Sequence, residues 1–190
     1  MIAEEQPAPA AAALAEAKAQ LRVDGTGEDA LIARLIAGAV GVCEAFVGQM
    51  LLSRGVEETL SASGAWTRLA RTPVRAVTGV TSGGVALAPE VYAIDIDQNG
   101  DGWVRCGGEA AHAARGIPAR LQLTYQAGLA TDWAGVPDPL RQGVLRLTGH
   151  LYAQRDEAMR DGGSPPAAVA ALWRPFRRMP FGRALYGSAR

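Results

Sequence analysis

The chain has few of the residues that most often carry catalysis or crosslinks. Its 190 residues include two cysteines and two histidines. Cys43 and Cys106 lie far apart, so neither a disulfide framework nor the spacing of a zinc site is predicted. A cysteine nucleophile would need a histidine at its side, and no catalytic motif accompanies His112 or His150. We therefore expect that the chain is not an enzyme and binds no metal or cofactor. A small hydrolase that uses Cys43 or Cys106 with a histidine is the weakest of the hypotheses considered.

The chain also lacks net charge. Lys+Arg and Asp+Glu both number 19, and Lys18 is the single lysine. A protein that coats nucleic acid needs a net basic surface to bind phosphate, so the balance argues against that class. The charge is uneven, however. Residues 1–50 hold three basic and seven acidic side chains, whereas residues 166–190 hold five arginines and no acid. Opposite charges on different parts of one chain favour complementary partners.

Signals for export or membrane insertion are missing as well. The first five residues read Met-Ile-Ala-Glu-Glu, without the basic region that opens a secretory signal. No uninterrupted apolar run reaches the roughly 18 residues needed to span a bilayer. The expectation is a chain made in the cytoplasm with no membrane partner.

Hydrophobic periodicity predicts helices on both sides of a β-rich middle. Apolar residues at 3- and 4-residue spacing predict a long helix at 27–51, and Pro137 begins a second at 137–159. A shorter helix is expected at 11–23. Three glycines fall inside the first long helix, where they are unfavourable, and the first two of them indicate either close approach of another helix or neutral drift. They are Gly38, Gly41 and Gly48.

Residues 52–128 change to short runs of β-branched and aromatic residues separated by glycine, serine, asparagine and proline. The predicted fold is α+β and mainly α, a helical bundle with a small antiparallel β insertion and an extended C-terminal arm. The predicted domains are a flexible N-terminal arm at 1–10, a main domain at 11–160 with its β insertion at 52–128, and a C-terminal docking arm at 161–190.

One acidic loop resembles a calcium site. Residues 95–101 match the first positions of an EF-hand loop, including the turn glycine at Gly100. Cys106 stands where that loop needs a bidentate glutamate, and both flanks predict strands. Because Asn99-Gly100 is a strong signal for a two-residue turn, we predict a hairpin; a weak ion site is the alternative.

The C-terminal segment has the composition of an interface. Tryptophan, phenylalanine and arginine dominate interface hot spots, and two prolines disfavour a continuous helix. The hypothesis is a partner-docking arm. Its alternatives are packing on its own domain, or DNA contact through the arginines. The candidate partner-binding residues are Trp173, Arg174, Phe176, Arg177, Arg178 and Phe181.

Several short motifs in a fixed order carry a resemblance to a known family. They begin with Leu-x-Glu-Ala-Lys-x-x-Leu-Arg-Val-Asp at 14–24 and acidic residues before Leu-Ile at 28–32. Glu-x-x-x-Gly follows at 44–48, and Pro-Val-x-x-Val-x-x-Val at 73–80. Tyr-x-Ala-Gly at 125–128 and His-x-Tyr-x-x-Arg at 150–155 complete the series. The chain thereby resembles the head–tail connector (adaptor) proteins of tailed phages and gene transfer agents. One position departs from the family pattern: Val47, just before the glycine of the Glu-x-x-x-Gly motif, stands where a polar residue is usual.

The resemblance implies a structural role in a virion or gene transfer agent particle. Such proteins form rings of about twelve subunits at the head–tail junction, below the portal, and DNA passes through the channel. The implied partners are the portal protein, a tail-side stopper or terminator protein, other copies of the chain, and double-stranded DNA bound without sequence specificity. The C-terminal segment would contact the portal. The alternative is a DNA-binding accessory protein that uses the arginine and aromatic tail.

Overall fold

The computed structural model describes residues 2–4, 11–107, 120–154 and 165–178. These ranges contain four α-helices: α1 (Ala11–Leu21), α2 (Asp29–Val47), α3 (Asp138–Ala153) and α4 (Ala167–Trp173). They contain eight strands: β1 (Ile2–Glu4), β2 (Arg54–Ser61), β3 (Thr67–Arg68), β4 (Val74–Ser82), β5 (Val85–Ala86), β6 (Tyr92–Ile96), β7 (Gly102–Cys106) and β8 (Arg120–Ala127). Short 3₁₀ turns occupy Pro89–Val91 and Arg174–Phe176.

The described residues divide into two compact units. A helical unit comprises 11–52, 129–154 and 165–178, and a β unit comprises 2–4, 53–107 and 120–128. The chain passes from the β unit into the helical unit after β1, returns at residue 53, and leaves again after β8. Each unit therefore assembles from segments that are distant in sequence.

The helical unit is built around α2. One stripe of this helix is fully buried, as the 3- and 4-residue spacing predicts, and it packs with the buried stripe of α3. By length and composition α2 could also cross a membrane, a test that buried core helices meet too. Cys43 is buried in this stripe, as expected for a small core residue. The stripe of α2 comprises Ile32, Ile36, Ala39, Val40, Cys43 and Val47.

Two antiparallel sheets form the β unit. The larger has the strand order β1-β2-β8-β4-β5, and the smaller has the order β3-β7-β6. Strand β8 lies at the centre of the larger sheet, paired with β2 from Ser61↔Arg120 to Arg54↔Ala127 and with β4 on its other side. Alternate residues of β8 are buried, which is the period expected of a strand with one face on the core.

The predicted hairpin is confirmed, but its connection is not the two-residue turn that Asn99-Gly100 signals, because residues 97–101 join the strands and Asn99 lacks the positive φ of such a turn. Strands β6 and β7 pair antiparallel from Tyr92↔Cys106 to Ile96↔Gly102, and Gly100 has a φ of +78°. A Cβ on Gly100 would lie 2.5 Å from Cβ of Pro73, so the position requires glycine both for its backbone and for its surroundings.

The predicted fold class is wrong in its proportions. The chain is not a helical bundle with a small β insertion, because the strands form a compact unit of their own with two antiparallel sheets. The sequence pattern identified most strands but not their pairing. β8 follows β2 by more than fifty residues, and local periodicity carries no information about such a distant partner.

The long helices are also shorter than predicted. α2 ends at Val47 rather than at 51, because Gly48 adopts a left-handed conformation with φ +70° and caps the helix. Gly48 is therefore a terminator and not an interior glycine. α3 ends at Ala153, and residues 155–159 of the predicted helix lie outside the described residues.

The two predicted arms contain regular structure where they are described. Ile2–Glu4, within the predicted flexible arm, form strand β1. Residues 167–176, within the predicted extended arm, form α4 and a 3₁₀ turn in the helical unit. The extended conformation predicted for the C-terminal segment is thus wrong over this range, because Ala167–Trp173 is rich in alanine, the best helix former, and ends before Pro175.

Candidate interaction surfaces

Trp173, the first candidate docking residue, is a core residue of the helical unit. Its side chain is fully buried, and its indole N–H donates to the Leu140 carbonyl of α3 at 3.4 Å. The indole ring lies 5.8 Å from the ring of Phe46 on α2, in a tilted arrangement. This contact joins α4 to α2 and α3.

Gly143 is the residue of α3 that makes room for this tryptophan. A Cβ at position 143 would lie 2.0 Å from Nε1 of Trp173, closer than any real contact. The glycine costs helix propensity, and burial of the large indole offsets that cost. Trp173 therefore packs on its own domain, which was one of the alternatives for the C-terminal segment. A direct contact of Trp173 with a portal stays a prediction.

The segment after α4 lies against the C-terminal end of α2. Gln49 donates its side-chain N–H to the Phe176 carbonyl at 2.6 Å, and the Arg178 N–H donates to the Val47 carbonyl at 2.8 Å. Gly48 leaves space here too, because its added Cβ would lie 3.1 Å from the Arg178 carbonyl oxygen. Hence the αL cap of α2 also seats the C-terminal segment.

An arginine side chain covers this end of α2. The Arg177 guanidinium lies over the Phe46 ring at 5.6 Å, a cation–π contact. Positive charge is favourable here because the last carbonyls of a helix carry partial negative charge. Arg174 and Arg177 are exposed, while Phe176 and Arg178 are half-buried. Phe181 lies outside the described residues. We call Arg174, Arg177 and Arg178 the arginine surface.

The acidic loop uses its carboxylates to hold the hairpin. Asp97 accepts hydrogen bonds from the backbone of Asn99 at 2.8 Å and of Asp101 at 2.9 Å. Asp101 pairs with Arg68 at 2.7 Å and accepts from the Thr72 hydroxyl at 2.9 Å. Within the described ranges, no group of three or more histidine, cysteine or acidic side chains is placed to hold a metal ion. The flanks of the loop are strands, as predicted, rather than EF-hand helices.

Both thiols have environments unsuited to a nucleophile. Cys43 and Cys106 are buried, and burial raises the pKa of each thiol above its ordinary value. The reactive thiolate is therefore disfavoured. His150 is exposed on α3, and His112 lies outside the described residues.

Sequence reasoning missed a polar cluster on the β unit. Glu4 of β1 binds the guanidinium groups of Arg54, at 3.1 Å, and of Arg71. Burial alone would raise the pKa of the Glu4 carboxyl, but the two arginines hold it below its ordinary value. Arg54 and Arg71 lie 50 and 67 positions from Glu4 in the sequence, so no local motif could have predicted the cluster.

A buried carboxylate lies on the same strand as Arg54. Glu58 is 4% exposed and accepts hydrogen bonds from the Tyr125 hydroxyl at 2.7 Å and from the Ala70 N–H at 3.0 Å. The Tyr125 hydroxyl in turn accepts from the Arg71 N–H at 3.2 Å. Burial, then the hydrogen bond to Glu58, raises the pKa of Tyr125. This network ties residues 70–71 to the centre of the larger sheet.

Comparison with solved structures relates this fold to particle necks. The chain matches a chain in the neck of an empty gene transfer agent (GTA) particle computed with C6 symmetry, with a TM-score of 0.72 and 24% identity over 98% of both chains. It matches a chain of the virion of a native GTA particle at 0.68 and 24%. It matches a chain in the neck of a native GTA particle computed with C12 symmetry, with a TM-score of 0.67 and 22% identity. These last two matches also cover 98% of each chain.

These likenesses confirm the predicted resemblance at the level of the fold. They extend over both units rather than over one shared motif, since nearly the whole length of each chain is matched. No protein-family model and no curated protein matches the chain.

Proposed function

We propose that this chain is a structural head–tail adaptor of a gene transfer agent or related tailed particle. In this proposal several copies form a ring in the neck, join the capsid to the tail, and leave a channel through which DNA passes. One observation carries the proposal: chains from GTA necks match 98% of this chain and are themselves matched over 98% of their length. A match of that extent means that the shared fold includes both units of the chain.

The physical chemistry of the chain is compatible with a ring. Identical subunits close into a ring through heterologous contacts, in which two different surfaces of each copy meet. Zero net charge with an acidic N-terminal part and a basic C-terminal part suits such contacts. A strongly basic channel would hold DNA electrostatically, whereas a neutral chain lets it slide.

The arginine surface is the proposed portal-docking site. Arg174 and Arg177 extend into solvent from a segment whose backbone is fixed by Gln49 and Val47. Trp173 and Phe176 contribute indirectly, because they anchor the segment on α2 and α3. Guanidinium groups held on a rigid element suit carboxylates of a partner, which they bind in a bidentate geometry.

The test is electron microscopy of the purified chain mixed with the portal protein of its own particle. We expect a ring of copies on the portal. A truncation should begin after Arg178, since removal of residues 166–190 would also delete the core residue Trp173 and could unfold the helical unit. Arg177→Glu tests the arginine surface, and Arg146→Glu, an exposed position on α3, is its matched control.

The outcomes separate the claims. Rings that form with the control but not with Arg177→Glu would support both the adaptor function and the docking site. Rings that form equally with both variants would keep the adaptor function and overturn the docking site. If no ring forms and DNA binds instead with a steep dependence on salt, the DNA-binding accessory protein becomes the better explanation.

A further inference from the structure

Strand β1 closes the outer edge of the larger sheet. It is three residues long and pairs with β2 in the register Ile2↔Glu58, Ala3↔Glu57 and Glu4↔Val56. β2 pairs with β8 on its other side, so β1 covers the edge of β2 that would otherwise be open to another strand. An open edge of this kind is a template for strand addition.

The edge is built to receive an acidic residue. The Glu4 carboxylate is shared by Arg54 and Arg71, and the Arg54 side chain is 10% exposed. Without an acid at this position, the largely buried Arg54 guanidinium would lose a carboxylate partner, which is costly, whereas Arg71, with its side chain 43% exposed, would lose less. We call the outer edge of β2 with Arg54 and Arg71 the β2 groove. It fits an extended segment that carries one acidic side chain.

Donor and acceptor are separate pieces of the chain. The donor is residues 2–4 alone, and the β2 groove lies in residues 54–58 and 71. A second copy could therefore supply the donor without loss of any backbone hydrogen bond or ion pair. This equivalence is the condition for exchange of an element between identical subunits.

The connection after β1 sets how far the donor can reach. Residues 5–10 join β1 to α1, and thus the β unit to the helical unit. Six extended residues span at most about 21 Å, so only an adjacent copy lies within reach. The matched neck structures were computed with C6 and C12 symmetry, which place copies side by side around an axis.

We propose that in the assembled ring the β2 groove of each copy holds residues 2–4 of its neighbour. The proposal rests on the ring of the proposed function. Each contact between copies then contains a short antiparallel ladder and the ion pairs of Glu4. Because every copy donates one strand and accepts one, the exchange runs around the whole ring and closes with it.

Engineered disulfides test the exchange directly. Ala3 and Glu57 are exposed register partners, at a separation suited to a disulfide between cysteines. Two full-length variants, Ala3→Cys and Glu57→Cys, are mixed, assembled on the portal, oxidised and run on a non-reducing gel. Exchange predicts that a large part of the monomer moves into a disulfide-linked dimer, since a link forms wherever an Ala3→Cys copy donates its strand to a Glu57→Cys copy. Ala3→Cys mixed with Val85→Cys, on the opposite edge strand β5, is the matched control and should stay monomeric.

Two further variants make the result decisive. A chain carrying both Ala3→Cys and Glu57→Cys should give a ladder of linked copies if strands are exchanged, and a single internally linked monomer if they are not. Glu4→Gln added to the Ala3→Cys chain should reduce dimer formation several-fold, because the ion pairs with Arg54 and Arg71 are lost.

The outcomes distinguish this inference from the adaptor function. Rings whose double variant yields only the internally linked monomer would overturn the exchange and leave the adaptor function intact. Absence of rings for every variant, wild type included, would overturn both. The native thiols do not confuse the assay, since Cys43 and Cys106 are buried.

Discussion

Gly143 and Gly38 lie in helix interiors with opposite surroundings. A Cβ at Gly143 would overlap the Trp173 indole, whereas one at Gly38 meets nothing within 4 Å. We expect Gly143→Ala to lower the free energy of unfolding of the isolated chain by about 1–3 kcal/mol, the usual cost of overpacking. Gly38→Ala, the control, should raise it by up to about 1 kcal/mol through helix propensity. Urea unfolding measures both, and equal effects would contradict the packing of Trp173.

The Tyr125 hydroxyl is the second test at this scale. Tyr125→Phe leaves the buried Glu58 without one of its two donors, which costs about 1–3 kcal/mol of unfolding free energy. Tyr152→Phe is the matched control, because the Tyr152 hydroxyl donates to Glu28 at a less buried site and should cost less. A larger loss in the control would show that the Glu58 network is not the stronger contact.

Ionisation of Tyr125 gives a prediction in pH. The folded pKa of this tyrosine is raised above the unfolded value of about 10, so the folded state keeps a proton that the unfolded state releases. The contribution of this proton to the free energy of unfolding is fully present below pH 10. Above pH 10 the free energy of unfolding falls, by up to about 1.4 kcal/mol per pH unit. We expect that part of the alkaline slope to vanish in Tyr125→Phe. Parallel slopes for the two proteins from pH 9 to 11 would exclude the raised pKa.

At the scale of elements, the β6–β7 hairpin depends on Gly100. Gly100 and Gly83 both have positive φ. A Cβ added to Gly100 would lie 2.5 Å from Cβ of Pro73, whereas one added to Gly83 would meet nothing within 4 Å. Gly83→Ala should cost about 1 kcal/mol of unfolding free energy through backbone strain alone. Gly100→Ala should cost about 1–3 kcal/mol more, because Pro73 or the hairpin must move. Denaturant unfolding compares the two, and equal losses would contradict the close approach.

Elements differed in how well the sequence predicted them. The β6–β7 hairpin was predicted because Asn99-Gly100 signals a turn by local backbone preference. The predicted end of α2 is wrong because the apolar pattern continues past Gly48, although a glycine after an apolar stripe is also a helix-cap signal. β1 was missed because a three-residue strand has no period of its own, and its pairing depends on residues more than fifty positions away.

The candidate site was predicted in part. Composition identified residues 173–178 as a segment of interest, and the structure places this segment against α2. The sequence did not reveal that Trp173 faces inward while Arg174 and Arg177 face solvent. That division follows from the gap that Gly143 leaves on α3, which only the packing of two distant helices makes visible.

At the scale of the whole molecule, zero net charge gives a prediction about DNA. Binding of the full chain to a double-stranded fragment should be weak and should vanish near 0.15 M salt, at roughly physiological screening. A titration of fluorescent DNA at several salt concentrations measures this. Tight binding with a steep salt slope, weakened by Arg177→Glu but not by Arg146→Glu, would favour the DNA-binding alternative over the adaptor.

The sequence by itself determined the properties that depend on near neighbours. The apolar period of α2, the β6–β7 hairpin, the buried character of Cys43 and the neutral charge all follow from composition or from residues a few positions apart. The tertiary structure alone decided the central place of β8, the core position of Trp173, and the meeting of Glu4 with Arg54 and Arg71. These contacts join segments that are distant in the chain, and they arise only when apolar faces are buried together.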